Sequence, residues 1–135
     1  MFGFRELFEL IPENTKFFTI ENKSKDEIYL EIPETIGRFK DMITFSVDNI
    51  VKSIPDEIGE CESLTFLNVT NNKKLTSLPG TLINCPCLTF ISKRDSALDI
   101  KNVPQELAQY LIVGDELWQP NFPEEITDKC TASPY

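Results

Sequence analysis

An apolar residue followed by proline recurs at near-regular intervals along this chain of 135 residues. The six copies of this step are Ile11-Pro12, Ile32-Pro33, Ile54-Pro55, Leu78-Pro79, Val103-Pro104 and Phe122-Pro123. Successive prolines are 21, 22, 24, 25 and 19 residues apart. These intervals are shorter than the roughly 30 residues of a strand-helix-strand unit, but they suffice for one strand and a short return. The repeat therefore predicts a solenoid, in which each interval forms one coil.

The coil that starts at Ile54 carries the clearest strand pattern. Its segment Leu64-Thr-Phe-Leu67-Asn-Val69-Thr-Asn-Asn72 has apolar residues at the first, fourth and sixth positions and asparagine at the ninth. Because side chains alternate between the two faces of an extended segment, the fourth and sixth residues are predicted to enter the core. Asn72 is predicted to turn inward and to bond backbone groups of its own coil and of the neighbouring coil.

With this strand and the steps Ile32-Pro-Glu-Thr-Ile-Gly37 and Ile54-Pro-Asp-Glu-Ile-Gly59, the chain resembles the leucine-rich-repeat family over residues 11–126. The middle coils, of 22 to 25 residues, resemble the longer class of these repeats. The outer coils reach their strands early, at Phe18 and Leu111, and resemble the short coils of bacterial effector proteins. The resemblance implies an α/β fold, a right-handed curved solenoid with a short parallel sheet on its concave face and irregular, 3-10 or short-helix returns on its convex face. It also implies a non-enzymatic protein-binding module.

Outside the coil at Ile54 the strand pattern is degenerate. Ile50 stands in the asparagine position of one neighbour, and Lys93 occupies an inward position of the other, which indicates either a register shift or an exposed edge. In the outer coils Lys23 and Glu116 occupy the asparagine position. We therefore expect the row of buried amides to be broken at both ends.

Residues 1–135 are expected to form a single domain. Residues 1–10 are predicted to be an N-terminal cap, residues 11–122 about five repeats, and residues 123–135 an incomplete repeat with a tail. The cap is predicted to be a short amphipathic helix, with Phe4, Leu7 and Phe8 on one face. The segment Ile28-Tyr-Leu30 is a candidate for a second short strand on the convex side.

Aligning the coils places mostly aromatic residues at the third strand position, which points away from the core. These residues are Phe17, Thr44, Phe66, Phe90 and Tyr110. Large apolar side chains on a solvent face are typical of contact anchors for a partner, although they can also pack on each other as a ladder between coils. The predicted partner-binding residues are Phe17, Glu21, Asp48, Phe66, Asn68, Phe90, Arg94, Asp95 and Tyr110.

The polar part of this face suits a protein or peptide partner with basic and apolar features. Small polar residues occupy the fifth strand position, and Glu21, Asp48, Thr70 and Arg94 occupy the seventh. A sheet face that is merely solvated is the alternative interpretation.

Charge and composition argue against several other functions. A net charge of −9 repels nucleic acids and anionic lipid surfaces, and the absence of histidine removes the commonest catalytic bases. An open sheet cannot desolvate Glu21 or Asp48 enough for acid-base catalysis, and no calcium-loop spacing accompanies them. Cys85-Pro-Cys87 with Cys130 lacks the paired spacing of zinc sites. We expect no enzymatic activity, cofactor or metal.

Cys61 and Cys85 each lie six residues after a repeated proline, so they are predicted to occupy equivalent buried sites in successive coils. The spacing of stacked coils also permits a bridge between them under oxidising conditions, so the sequence leaves their redox state open.

The first ten residues carry acidic side chains and no cleavage-site pattern, so a cytoplasmic location is expected. No run reaches the roughly 20 apolar residues that span a bilayer, so no membrane insertion is expected. The chain is expected to be a monomer or to self-associate weakly. Two alternative functions stay open: a structural or assembly component that uses open solenoid ends, and the recognition part of a larger effector protein.

Overall fold

The computed structural model of the protein describes residues 4–117, which form an α/β fold with a four-stranded parallel sheet. The strands are β1 (Phe17–Glu21), β2 (Thr44–Asp48), β3 (Phe66–Asn68) and β4 (Phe90–Ser92), and they lie side by side in chain order. The returns contain the 3-10 helices η1 (Glu34–Arg38), η2 (Asp56–Glu60), η3 (Gly80–Asn84) and η4 (Ile100–Asn102). The α-helices are α1 (Phe4–Leu10) and α2 (Gln105–Leu117). The predicted α/β class, parallel sheet and 3-10 returns are confirmed.

The repeated prolines mark where the returns begin. Pro33, Pro55 and Pro79 directly precede η1, η2 and η3, and each carbonyl accepts a hydrogen bond of 3.1 to 3.3 Å from the amide three residues later. Pro104 precedes α2 in the same way, with a bond of 2.9 Å from the amide of Leu107. Proline suits these sites because its fixed φ favours helical turns and its missing N–H is not needed there. The last repeated proline, Pro123, lies outside the described residues.

The core lies between the sheet and the returns. The inward side chains of the strands include Phe18, Phe45, Val47, Leu67 and Ile91, and they meet Ile36, Ile58, Leu82 and Leu107 from the returns and α2. At the amino-terminal end, the fully buried ring of Phe8 lies 5.0 Å from the ring of Phe18 and 6.0 Å from that of Phe39, measured between centroids. The helix predicted within the cap at residues 1–10 is therefore α1. Leu7, which was expected on its apolar face, is exposed.

Arg38 fastens α1 to η1. Its Nη2 donates hydrogen bonds to the backbone oxygens of Phe8, Glu9 and Ile11 at 3.2, 3.0 and 2.9 Å. These carbonyls lie at the carboxyl end of α1, where a helix leaves acceptors unpaired and favours a cation.

Consecutive returns approach each other closely. A Cβ atom at Gly59 would lie 2.6 Å from the carbonyl oxygen of Thr81 in the next return. The Thr81 hydroxyl donates to the carbonyl oxygen of Asp56 at 2.6 Å, which fixes the approach. Glycine at position 59 thus leaves space for the neighbouring backbone, whereas a Cβ at Gly80 would meet nothing nearer than 3.9 Å.

Asn72 behaves as its position in the strand pattern predicts. The residue is 1% exposed, and its Oδ1 accepts bonds of 2.9 and 3.0 Å from the amides of Ile50 and Val51. Its Nδ2 donates to the carbonyl oxygens of Val47 and Thr70 at 2.9 and 3.1 Å. One amide thus satisfies backbone groups of two successive sequence repeats, and the prediction is confirmed.

Two sequence predictions about the outer segments are wrong. Residues 110–113, predicted as the last strand, lie in α2, because the segment after Pro104 is rich in helix-forming residues such as Gln, Glu, Leu and Ala. Ile28 to Leu30 form no strand, although the amide of Leu30 donates to the carbonyl oxygen of Ile50 at 2.8 Å. A register shift at Lys93 is excluded, since β4 pairs in phase with β3 and Lys93 is half-buried just beyond it.

Candidate protein-binding face

The outer face of the sheet, opposite the core, carries the side chains at alternate strand positions. The register pairs Phe17 with Thr44, Thr44 with Phe66, and Phe66 with Phe90, so these residues form one row across the sheet. We call it the third-position row. A second row, Thr19, Ser46, Asn68 and Ser92, follows two residues further along each strand. Both rows match the third and fifth strand positions that were predicted by aligning the sequence repeats.

Exposure changes sharply along the third-position row. The side chain of Phe17 is 69% exposed, and Thr44 is half-buried, but Phe66 and Phe90 are only 8% and 5% exposed. Phe66 and Phe90 lie outside the main core cluster and are still buried, so the outer face at these two rings of β3 and β4 is shielded from solvent. The prediction that these two rings are exposed contact anchors is therefore wrong.

Tyr110, the fifth predicted member of the row, lies in α2 and not in a strand. It is half-buried and packs against the core cluster, while Leu107 and Leu111 of the same helix are buried. The spacing of four residues between these leucines is helical and was the signal that the strand prediction overlooked. For Phe66 and Phe90 the strand sequence holds no such signal, because an outward phenylalanine looks the same whether solvent, a partner or the same chain covers it.

Two carboxylates meet at the end of the open half of this face. Glu21 and Asp48 are direct partners in the register of β1 and β2. Like charges at such positions repel, unless cations or hydrogen-bond donors approach them. Lys23 Nζ lies 3.4 Å from Glu21 Oε1, and Asn71 Nδ2 donates to Asp48 Oδ1 at 3.0 Å. Lys23 and Asn71 thus offset part of the repulsion between the two carboxylates.

The turns that follow the strands share an unusual backbone conformation. Asn49, Asn71 and Asp95 have φ values of 58°, 62° and 58°, in the left-handed region that Asn and Asp tolerate best among residues other than glycine. The turns after β1, β2 and β3 border a shallow polar depression of about 300 Å³. Residues 22–24, Asp48, Asn49, Asn71 and Lys73 line it. It places amide, carboxylate and ammonium groups together at the carboxyl ends of parallel strands.

The other predicted binding residues lie near the covered half of the face. Arg94 and Asp95 are exposed in the turn after β4, and the carbonyl oxygen of Asp95 accepts a bond of 2.8 Å from Lys73 Nζ. Asn68 is half-buried, and its Oδ1 accepts bonds from the amide and the hydroxyl of Thr70. The side-chain oxygen of Asn68 is thus engaged in local hydrogen bonds at the end of β3.

The cysteines of the returns are packing residues in this structure. Cys61 and Cys85 are free and buried, and their Sγ atoms donate to the carbonyl oxygens of Ile36 and Ile58 in the preceding returns, at 3.2 and 3.6 Å. Burial raises the pKa of Cys61 to about 12 and that of Cys85 to about 11, and the proximity of Cys85 adds to the shift at Cys61. Such thiols are protonated and unreactive at neutral pH. Cys87 takes part in a disulfide.

Within residues 4–117, no group of three or more His, Cys, Asp or Glu side chains is arranged to hold a metal ion. In the same part of the chain, no helix has the length and apolar character needed to cross a membrane. The expectations of no enzymatic activity, no cofactor and no nucleic-acid partner stay predictions. The expected incomplete repeat and tail at residues 123–135 lie outside the described residues.

No protein-family model matches the chain, and no curated protein matches it.

Proposed function

We propose that this protein is a non-enzymatic leucine-rich-repeat solenoid that binds a protein or peptide partner through the outer face of its sheet. Two features support the solenoid. The returns begin at equivalent prolines, and the four strands pair in phase in chain order. In such a solenoid the outer face would be the concave surface.

The exposure of Phe17 is the observation that carries the binding proposal. Its ring is 69% exposed on a sheet face, beside the half-buried Thr44 and Ser46. A large exposed aromatic side chain next to small polar ones resembles an anchor residue of a protein interface. The open half of the face, over β1 and β2, is therefore the proposed contact surface.

The chemistry of the partner follows from the charges of this surface. The register pair Glu21 and Asp48 lies at its carboxyl end, and the whole chain carries a net charge of −9. Both features favour a partner that presents a basic group beside an apolar one. Arg94 and Asp95, exposed at the far end of the sheet, are proposed to orient a longer partner.

The test compares affinity capture from the source cell by the wild-type chain and by two variants. Phe17→Ala removes the proposed anchor, and Ile83→Ala removes an isoleucine of similar exposure, 52%, from the return η3. We expect the partner to be lost with Phe17→Ala and retained with Ile83→Ala. Calorimetry with the captured partner should then show a loss of about 2 kcal/mol or more for Phe17→Ala.

Both variants alter exposed side chains, so their thermal unfolding should match that of the wild type and a loss of binding cannot come from misfolding. Equal capture by all three chains would remove the β1–β2 half of the face from consideration. A Phe66 and Phe90 double variant would not test binding, because both rings are buried.

We also propose a cytoplasmic location, which the two free thiols, Cys61 and Cys85, support. The disulfide at Cys87 argues against it, since structural disulfides are rare in reducing compartments. Alkylation of the protein in its source cells, before and after reduction, shows whether Cys87 is free or in a disulfide there. Cys87 alkylated before reduction supports the cytoplasmic proposal, and Cys87 alkylated only after reduction contradicts it.

A further inference from the structure

One edge of the sheet, at β1, has a row of backbone groups directed away from the other strands. Lys16 O accepts a bond of 3.1 Å from Thr44 N, and Asn22 N donates to Asp48 O at 3.0 Å. In a parallel ladder, every second residue of a strand bonds to the same neighbour. Phe18 and Ile20 therefore also bond to β2, whereas the N–H and C=O groups of Phe17, Thr19 and Glu21 point outward.

Among the described residues, no other element pairs with this edge. The sheet ends at β1, and the helix α1 packs against η1 instead of lying along the strand. Its Phe8 ring reaches the Phe18 ring beneath the sheet, on the core side. The side chains of Phe17, Thr19 and Glu21 are exposed as well, so backbone and side-chain groups are both accessible at the same three residues.

Features that usually prevent an exposed edge from pairing with another chain are sparse at β1. Natural edge strands are commonly very short, or carry a proline, a bulge or an inward charge. β1 pairs with β2 over five residues in continuous register, and its only charged residue is Glu21, which points outward. Lys16 and Lys23 lie just beyond its two ends.

We propose that β1 receives an extended segment of the partner protein as an additional strand of the sheet. This inference rests on the proposed function and names the form of its partner. Added strands are held by main-chain hydrogen bonds, and alternate side chains supply specificity. Cross-strand neighbours favour an apolar residue of the segment beside Phe17, a small polar one beside Thr19 and Lys or Arg beside Glu21.

A second copy of this chain is a poorer occupant of the same edge. Two copies carry −9 each and repel one another. An antiparallel pair centred on Thr19 would also set the Phe17 of each copy against the Glu21 of the other, which matches neither the ring nor the carboxylate. A basic segment with alternating apolar residues suffers neither penalty.

The experiment adds a blocked peptide, acetyl-Lys-Val-Thr-Val-Phe-amide, to the full chain and follows amide hydrogen exchange residue by residue. With the peptide at ten times its Kd, we expect exchange at Phe17, Thr19 and Glu21 to slow by about tenfold. The amides of Phe18 and Ile20, already bonded to β2, should change far less. A peptide with Glu in place of Lys is the matched control and should bind at least about tenfold more weakly.

A variant pair separates the edge from the face. Thr19→Pro removes the central outward N–H and obstructs strand addition, yet proline is tolerated on an edge where that N–H has no ladder bond. Thr19→Ala keeps the N–H and should bind like the wild type. We expect Thr19→Pro to abolish the exchange protection while the chain keeps its circular dichroism spectrum.

The outcomes distinguish this inference from the proposed function. A natural partner that is lost with Phe17→Ala but retained with Thr19→Pro would overturn strand addition and leave binding by the face intact. Unchanged exchange at Phe17, Thr19 and Glu21 with saturating peptide would also overturn it. Protection that rises with protein concentration alone, with a dimer in sedimentation, would assign the edge to a second copy instead.

Discussion

Phe17 and Phe90 hold equivalent positions at opposite ends of one row across the sheet, yet their surroundings differ completely. The ring of Phe17 is 69% exposed, and that of Phe90 is 5% exposed. The repeat determines which way each side chain points, because strand alternation is the same in all four strands. It does not determine what the side chain meets. Burial on the outer face depends on the rest of the chain.

The helices at the two ends of the sheet also differ in how much of the neighbouring strand they contact. At one end, α1 closes the core beneath the five-residue strand β1 and leaves the strand edge open. At the other end, α2 packs against the three-residue strand β4 and contributes Leu107 and Leu111 to the core. Contact with a partner is therefore expected at the β1 end, and stability should depend more on the β4 end.

The sharpest test of this contrast truncates both rings. Phe90→Ala should lower the free energy of unfolding by about 3 to 5 kcal/mol, because a buried ring is lost and a cavity remains. Phe17→Ala should change it by less than about 0.5 kcal/mol, since the ring already faces solvent. Urea unfolding followed by circular dichroism measures both values. Similar losses for the two variants would show that the two ends are packed alike.

The second test compares the middle of the molecule with the open end. Asn72→Ala should cost about 3 kcal/mol, because it leaves the buried amides of Ile50 and Val51 and the carbonyl of Val47 without their partner. Asn22→Ala, in the exposed turn after β1, should cost about 1 kcal/mol or less, since water can replace its bonds to Ser24 and Asp26. Denaturant midpoints of the two variants measure these losses of stability. Equal losses would contradict the view that the centre of the molecule contributes more to stability than the β1 end.

A third test compares two glycines of the returns, one in close contact with the next return and one with more space around it. Gly59→Ala should destabilise by about 2 kcal/mol, because its new methyl group would meet the Thr81 backbone at 2.6 Å. Gly80→Ala, where the nearest atom is 3.9 Å away, is the matched control and should lie within about 0.5 kcal/mol of the wild type. Thermal unfolding of the two variants suffices. A neutral Gly59→Ala would mean that consecutive returns can separate without cost.

The predictable part of this structure is the part that repeats. The intervals between the prolines at 33, 55 and 79 predicted one strand and a short return each, and the pattern ending at Asn72 predicted a buried amide with backbone partners. Each of these features depends on bonds within one sequence repeat or between adjacent repeats, so a local pattern contains the necessary information. The in-phase register follows from the same spacing.

The failures concern the segment after the last strand and the surroundings of outward side chains. Extending the repeat places Tyr110 in a strand, but this segment forms α2, since helix propensity decides once the strand pattern fades. Phe66 and Phe90 were expected to be exposed because strand alternation points them outward. Both are buried, and the repeat pattern carries no information on what lies over an outward side chain. Of the expected aromatic anchors, Phe17 alone is exposed.

The smallest expected effect concerns the thiols inside the returns. The pKa of Cys61 is raised to about 12 and that of Cys85 to about 11, from an ordinary value of 9.0, because burial disfavours the thiolate. Their contribution to stability is therefore complete below pH 9 and is lost as the pH rises through 9 toward 11, since only the unfolded chain ionises there. By pH 10 the loss should be about 1 kcal/mol for each thiol.

Other groups also titrate above pH 9, so the measurement is a difference between two chains. The Cys61→Ala and Cys85→Ala double variant should be less stable than the wild type at pH 8, and this gap should shrink by pH 10, because only the wild type loses the contribution of the thiols. Alkylation of the folded wild type at pH 8 should be far slower at both sites than in denaturant. If Cys61 stayed protected while Cys85 reacted quickly, the return at the α2 end would open more readily than the middle one, and the contrast between the two ends would have to be reversed.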